Sequence, residues 1–365
     1  IGGTNINEAL YKALKMDFAK DKPAFIVFLT DGMPTVDITD PLEILKNVKK
    51  ENELKIKIFC FGVGTDLNTT LLDKLAVENN GVIEYVTENE DIELKVSNFY
   101  TKIASPVLTD VSVDFGKIKT DNAYPREIPD FFKGSQLVLI GRYREGGASA
   151  ATIKGKVLGT EKKYSNDVNF AEKTDDNNFL PRIWAQRRIG YLLEEIRLHG
   201  ENKELKEEIV ELSKKHGIMT PYTSFLVLED EAQIGGSPNI MIERRQRFYD
   251  EKVKAGAQAP GSSLSASERD AFDNANVFMA PSSEKSMKED SGANAVHMSR
   301  AVKKIQASDR AFDYSKIDPE SMRYVEDKTF VKRGDEWRIS TFDEKRDAKN
   351  IVSVKFGSKL YFALI

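Results

Sequence analysis

Residues 1–105 alternate between a strand-like and a helix-like hydrophobic pattern. Apolar runs predict buried strands at Phe25–Leu29, Lys55–Phe61 and Val82–Val86. Amphipathic stretches predict helices over residues 5–18, 41–50, 68–78 and 91–103. Repeated strand–helix units of this length are typical of an α/β fold with a doubly wound, mostly parallel sheet. Three strands are few for such a sheet, so we expect further strands upstream of Ile1.

The pattern changes at Pro106 and predicts a β-rich region with a helical pair over residues 106–230. Short runs broken by Gly and Pro predict a small antiparallel sheet, with strands at Thr109–Phe115, Ser135–Ile140 and Ala151–Leu158. The helical pair follows, and its helices are predicted to end at Gly200 and Gly217. The run Tyr222–Leu228 predicts one more strand of this sheet.

Apolar residues become sparse over residues 231–310, where stretches rich in Ala, Gly, Ser and Pro predict a flexible linker. Within it, residues 240–254 are compatible with an isolated charged helix. A small β unit is predicted over residues 311–365, with strands at Lys328–Val331, Glu336–Ile339 and Ile351–Phe356.

Composition indicates a soluble globular protein and removes several function classes. The 365 residues are 40% hydrophobic and 31% charged, with a net charge of −4. This balance provides no broad basic field for nucleic acid. No apolar run reaches the roughly 18 residues that a membrane helix needs. The single cysteine, Cys60, lies in an apolar run, which predicts a buried, inert thiol.

Two loops carry oxygen-bearing side chains to one predicted edge of the parallel sheet. Asp31 follows the first strand in Thr30-Asp31-Gly32, and Thr4 lies in a glycine turn before the first helix. Ligands of open α/β sheets bind at the carboxyl ends of the strands. Hydroxyl and carboxylate oxygens suit Mg²⁺, Ca²⁺ or Mn²⁺, so Thr4 and Asp31 are candidate metal ligands. The alternatives are that Thr4 caps the helix and that Asp31 forms a turn with Gly32.

Other conspicuous residues are predicted to have structural roles. Asp37 and Asp40 suit a turn and a helix cap. Gly62-Val-Gly64 invites a dinucleotide-binding interpretation, but Leu67 stands where the third glycine would be. No P-loop, Gly-x-Ser-x-Gly elbow or His-Glu-x-x-His pair occurs in the sequence. We therefore predict that the chain is not an enzyme.

Several blocks of sequence resemble the second half of a von Willebrand factor A (VWA) domain, namely Ile1–Ile6, Phe28–Gly32 and Ile58–Gly64. Later blocks resemble inter-alpha-trypsin-inhibitor heavy-chain-like proteins, in which a VIT domain precedes the A domain. These blocks are Phe99–Leu108, Gly134–Tyr143, Ile183–Ile189 and Thr220–Phe225. The resemblance covers roughly residues 1–230 and implies that residues 1–105 are the C-terminal half of a VWA domain.

The resemblance also implies a metal-ion-dependent adhesion site (MIDAS). In that family an Asp-x-Ser-x-Ser loop, a Thr from a second loop and an Asp from a third surround one divalent cation, and an acidic group of a partner completes its coordination. Thr4 and Asp31 match the second and third loops. The Asp-x-Ser-x-Ser loop does not occur in this chain and is expected upstream, so the chain alone is expected to bind Mg²⁺ weakly.

Three functional hypotheses follow from the residues and the resemblance. The first is a divalent-cation-dependent, adhesion-type module that binds a carboxylate of a protein or extracellular-matrix partner. The second is a structural surface-assembly module without bound metal. The third is an enzyme, whose catalytic residues would have to lie upstream. The resemblance implies an extracellular or cell-envelope location, and the oligomeric state stays open.

Overall fold

The computed structural model describes residues 3–19, 24–88, 90–103, 106–157, 159–174, 176–223, 265–280, 282–316, 322–325, 328–333 and 336–347. Its first part alternates helices and strands in the predicted order. The elements are α1 (Ile6–Leu14), β1 (Phe25–Thr30), α2 (Pro41–Glu51), β2 (Lys57–Val63), α3 (Thr69–Glu78), β3 (Ile83–Val86) and α4 (Ile92–Ile103). All seven were predicted from the sequence, with ends shifted by a few residues.

Strands β1, β2 and β3 form a parallel sheet in that order, with Phe25 opposite Lys57 and Cys60 opposite Ile83. Buried side chains of α1, α2 and α3 share one core with Ile58 and Cys60 on one face of the sheet. On the other face, Phe99 of α4 packs against Phe59 and Phe61 of β2. Helices therefore cover both faces, which confirms the predicted doubly wound α/β fold.

Two side-chain caps fix where helices begin in this part. The Asp40 carboxylate accepts a hydrogen bond of 2.9 Å from the backbone N–H of Leu42, as predicted for the start of α2. Asn68 accepts a hydrogen bond of 2.8 Å from the N–H of Leu71 and caps α3. Cys60 is fully buried, as predicted, and burial raises the pKa of its thiol, which disfavours the reactive thiolate.

The β-rich region forms antiparallel pairs. Its strands are β4 (Pro106–Asp114), β5 (Thr120–Tyr124), β6 (Phe131–Phe132), β7 (Ile140–Tyr143), β8 (Gly147–Val157) and β9 (Thr160–Phe170). One sheet has the order β6-β4-β8-β9, and among the described strands β5 pairs only with β7. The run Ser135–Ile140 was predicted as a strand, but only Ile140 belongs to one, at the start of β7. Tyr222 lies in a turn, and residues 224–228 of the last predicted strand lie outside the described residues.

The predicted helical pair is present as α5 (Leu180–His199) and α6 (Lys203–His216). Gly217 ends α6 at φ 61° and ψ 39°, the left-handed conformation that a side chain disfavours. Ile189, Leu192 and Leu193 of α5 are almost fully buried in a second hydrophobic core. This core also takes side chains from residues beyond position 265.

The prediction of a flexible linker over residues 231–310 is wrong for residues 265–307. These residues fold into α7 (Ala266–Phe278), α8 (Ser283–Ser286) and α9 (Ala293–Ala307). Residues 231–264, including the predicted charged helix at 240–254, lie outside the described residues. The domain boundaries at residues 105, 230 and 310 stay predictions.

Small core residues explain why this segment looks like a linker in the sequence. Ala271, Ala275 and Ala301 are at most 5% exposed, so alanines occupy core positions where helices pack closely. The segment therefore has a low apolar density although its packed face is continuous. Ser265 and Glu268 form a capping box at the start of α7, which is a signal that the sequence does carry.

A buried polar network joins α9 and α5 to α3 of the first part. The Asp73 side chain is 3% exposed and its Oδ2 lies 3.2 Å from Nη2 of Arg197. The Ser299 hydroxyl donates to the same oxygen at 2.8 Å. Tyr85 donates to Oδ1 at 3.2 Å, and Nζ of Lys303 lies 3.5 Å from it. Three helices and a strand thus meet around one carboxylate.

The last described part is an antiparallel sheet of β10 (Met322–Val325), β11 (Lys328–Arg333) and β12 (Glu336–Ile339), followed by the short helix α10 (Glu344–Asp347). Two of its three strands were predicted, and the predicted strand at 351–356 lies outside the described residues. The sheet contacts the end of α6, where the Tyr324 hydroxyl donates to the carbonyl of Gly217 at 2.6 Å.

Candidate functional site

Asp31 lies at the carboxyl end of β1, where the sequence places it. Its side chain is exposed, whereas the preceding Thr30 is buried. The Thr30 hydroxyl donates to the carbonyl of Gly32 at 3.0 Å and accepts from the N–H of Gly32 at 3.3 Å. This local turn follows the end of β1 and places Asp31 in the loop at the edge of the sheet.

The loop that carries Thr4 is bonded to the loop that follows Asp31. The Thr4 carbonyl accepts from the N–H of Thr35 at 2.9 Å and from that of Val36 at 3.3 Å. In return, the Thr4 N–H donates to the Thr35 hydroxyl at 2.8 Å. A Cβ built on Gly3 would lie 2.1 Å from Val36 Cγ2, so any other residue here would require the Val36 side chain to move.

These contacts bring the two predicted site residues to the same edge of the sheet. A Cβ built on Gly32, the residue after Asp31, would lie 3.5 Å from the Thr4 hydroxyl oxygen. The sequence pattern did not single out Thr35, whose hydroxyl helps to hold Thr4 in place. A threonine three residues after Gly32 was the available signal.

Both candidate ligand groups keep their oxygens available. Asn5 caps α1 by accepting from the N–H of Glu8 at 3.0 Å, so the hydroxyl of Thr4 is not the cap. Within the part of the chain that the structure describes, neither the Thr4 hydroxyl nor the Asp31 carboxylate takes part in a hydrogen bond or an ion pair. A hydroxyl and a carboxylate with unused lone pairs suit a hard divalent cation.

The rest of this loop region adds structural residues rather than ligands. Asp40 is the cap of α2, and Asp37 is exposed with φ at 64°. Among the described residues, no three side chains of His, Cys, Asp and Glu come close enough together to hold a metal ion. That Thr4 and Asp31 are metal ligands therefore stays a prediction.

Comparison with known families identifies the first part of the chain. Residues 1–101 match the family model of the von Willebrand factor type A domain. The α/β architecture of α1 to α4 around a parallel sheet agrees with that match. Residues 1–101 are therefore a VWA domain, a class of domain that supports a role in protein interaction.

Its curated relatives include inter-alpha-trypsin inhibitor heavy chains. Heavy chain H4 from Bos taurus is 32% identical over 252 residues, which are 64% of this chain and 28% of the bovine protein. Heavy chain H3 from Homo sapiens is 29% identical over 268 residues, covering 65% of this chain and 29% of the human protein. The chain thus spans less than a third of the length of these relatives.

Solved structures of VWA proteins are more distant. A von Willebrand factor type A protein from Catenulispora acidiphila is 16% identical, with a TM-score of 0.39 over 59% of this chain and 61% of that one. The ArnB paralog VWA2 from Sulfolobus acidocaldarius is also 16% identical, with a TM-score of 0.35 over 60% of this chain and 62% of that one.

Proposed function

We propose that this chain is part of a divalent-cation-dependent protein-binding module, in which Thr4 and Asp31 contribute to one metal site. The observation that supports the proposal most is the pair of hydrogen-bonded loops at the end of β1. They hold a hydroxyl beside the turn that carries an exposed carboxylate, and neither group has another partner among the described residues. The VWA match supplies the class of module.

The bound cation would be Mg²⁺, with Ca²⁺ or Mn²⁺ as substitutes, and it would bind a carboxylate of a protein or matrix partner. Mg²⁺ prefers an octahedral set of oxygens, so two protein ligands would leave most positions to water or to the partner. We propose that the protein acts by binding and not by catalysis. Its similarity to the heavy chains supports a location outside the cell or in the cell envelope.

A structural module without metal is the second candidate. The observation that favours it is the small donor set, because among the described residues no group of three or more acidic, histidine or cysteine side chains is placed to hold a metal ion. Every helix in the described part is too short or too polar to cross a lipid bilayer. In this alternative the surfaces of the chain, rather than a cation, would determine assembly.

Calorimetric titration with Mg²⁺ and Mn²⁺ tests the metal site directly. We expect weak binding by this chain, with a dissociation constant of about 1 mM or higher, because two ligands provide little of the octahedron. The Asp31→Ala variant should lose that binding while its free energy of unfolding changes by less than about 0.5 kcal/mol, since Asp31 is exposed and unpaired in the described part.

The matched control is Asp167→Ala, which removes an exposed aspartate from β9 in a different sheet. It should bind the cation as the wild type does. Equal Mn²⁺ binding by wild type and Asp31→Ala would refute the proposed site and favour the metal-free module. In a longer protein that includes an Asp-x-Ser-x-Ser loop, the same substitution should abolish partner binding that EDTA also removes.

A further inference from the structure

A polar pocket lies on the face of the β5–β7 strand pair, away from any role assigned above. It is a half-open cleft with a volume of about 690 Å³, lined by Thr120, Asp121, Asn122, Arg126, Arg142, Tyr143 and Arg144. Three of these seven residues are arginines. Pockets of about 300–1,000 Å³ commonly bind small molecules, so the size alone allows an organic ligand.

Aromatic rings hold two of the arginines in place. The guanidinium of Arg126 lies 5.0 Å from the ring centre of Tyr124 and 5.2 Å from that of Tyr191. The guanidinium of Arg142 lies 5.1 Å from the ring centre of Trp184. Stacking restricts these long side chains before any ligand arrives, which reduces the entropy cost of binding.

The rings are themselves anchored to the protein. The indole N–H of Trp184 donates to the carbonyl of Asn122 at 2.9 Å, and the Trp184 side chain belongs to the buried core of α5. Tyr124 is 3% exposed and its hydroxyl accepts from Arg188 at 2.8 Å. The guanidinium groups of Arg126 and Arg142 therefore pack against aromatic side chains that are themselves held by the rest of the protein.

The positive charge of the pocket is only partly compensated. Arg144 pairs with Asp121 at 3.1 Å, and both side chains are at least half exposed. Within the part of the chain that the structure describes, no carboxylate pairs with Arg126 or Arg142. Three arginines and one aspartate leave two net positive charges, in a protein whose overall charge is −4.

We propose that this pocket binds a phosphate monoester through Arg126, Arg142 and Arg144. A phosphate monoester carries a charge of about −1.5 to −2 at pH 7, which matches the net charge of the pocket. Guanidinium groups bind its oxygens in pairs, through charge-assisted hydrogen bonds. Because the pocket is much larger than one phosphate, the esterified group is the size of a sugar or an amino acid.

Titration of the 365-residue chain with two phosphate esters tests the proposal. Glucose 6-phosphate represents a free small molecule, and O-phosphoserine represents a phosphorylated side chain of a partner. We expect saturable binding of at least one ester with a dissociation constant of about 1 mM or tighter at low salt. Unesterified glucose and serine should not bind. The tighter of the two esters identifies the source of the phosphate.

Variants separate the pocket from general charge effects. Arg142→Ala should weaken binding roughly tenfold or more, because it removes a charged hydrogen-bond donor. Arg142→Lys should fall between wild type and Arg142→Ala, since it keeps the charge and loses the planar fork. Arg144→Ala removes an arginine that is 83% exposed, so it tests the site even if changes at Arg142 disturb folding.

The control is Arg346→Ala, which removes an exposed arginine that pairs with Asp347 on α10. It should bind the ester as the wild type does. Absence of saturable binding by the wild type would overturn the proposal. So would equal affinities of wild type, Arg142→Ala and Arg144→Ala. Neither result would bear on the cation site, because Thr4 and Asp31 do not line the pocket.

Discussion

The buried carboxylate of Asp73 connects several elements of the fold. It accepts hydrogen bonds from Arg197, Ser299 and Tyr85, which come from two helices and a strand. Burial would lower the pKa of the neighbouring Lys303, but Asp73 and Glu194 raise it above its ordinary value. Such a network does not by itself make a protein more stable than an apolar core would, yet breaking it is costly.

Replacing Asp73 with alanine should therefore destabilise the protein strongly. The change leaves Arg197 buried without its counter-charge and leaves the half-buried Lys303 with Glu194 alone, which costs about 3–5 kcal/mol. Chemical denaturation of wild type and Asp73→Ala measures the difference. The control is Glu8→Ala, because Glu8 pairs with Lys12 on the surface and its loss should cost less than about 0.5 kcal/mol. Similar costs for the two variants would contradict this account.

At the level of the element, the sequence predicts structure best where packing produces a clear period. Helices α1 to α6 and strands β1 to β3 were all anticipated, because their apolar residues repeat at helical spacing or form unbroken runs. Strand β9 was missed. Most of its residues are exposed and polar, so neither face of the strand produces an apolar alternation.

Helices α7 and α9 were missed for a different reason. Their core positions mix alanines with larger apolar residues, separated by many polar ones, and the partners that bury them lie far away in the sequence. The candidate cation site was predicted because both its loops adjoin predicted elements. The arginine pocket was not, because strand pairing between β5 and β7 and a ring from α5 assemble it.

The packing of α7 predicts that a buried and an exposed phenylalanine contribute very differently to the free energy of unfolding. Phe278 is fully buried, so Phe278→Ala should lower the free energy of unfolding by about 3–5 kcal/mol. Phe179 is 52% exposed at the start of α5, and Phe179→Ala should cost about 1 kcal/mol or less. Thermal or chemical unfolding measures both. A flexible segment at residues 265–278 would instead make the two substitutions equally mild.

At the scale of the whole molecule, the region beyond residue 265 is attached to the VWA part at several points. The N–H of Thr69 donates to the carbonyl of Asp290 at 2.7 Å, and the Thr70 hydroxyl donates to its carboxylate at 2.7 Å. Arg300 of α9 pairs with Glu90 at 2.9 Å, in the segment between β3 and α4. Residues more than two hundred positions apart therefore share one interface.

The Glu90 contact should make this interface sensitive to acid. Burial would raise the pKa of Glu90, but hydrogen bonds from Thr87 and the charge of Arg300 lower it from 4.5 to about 2. The folded state thus favours the carboxylate, so its contribution is complete above about pH 4.5 and is lost as the pH falls towards 2. We expect Glu90→Gln to cost about 2 kcal/mol at pH 7, with the difference from wild type closing over that range.

Unfolding free energies of wild type and Glu90→Gln, measured from pH 2 to pH 7, check this expectation. Glu93→Gln serves as the control, since Glu93 is exposed in the first turn of α4. That control should track the wild type at every pH. If the difference in unfolding free energy between wild type and Glu90→Gln does not change with pH, the Glu90 side chain contributes through packing and not through its charge.

The burial of Cys60 has a practical consequence for work on this protein. Since the sequence contains one cysteine and that thiol is inaccessible in the folded state, thiol-directed fluorophores and spin labels have no native position to modify. A cysteine introduced at the exposed Thr39, in the loop region that follows Asp31, or beside Arg144 becomes the sole attachment point. Spectroscopic probes can therefore report separately on the cation edge and on the arginine pocket without first removing Cys60.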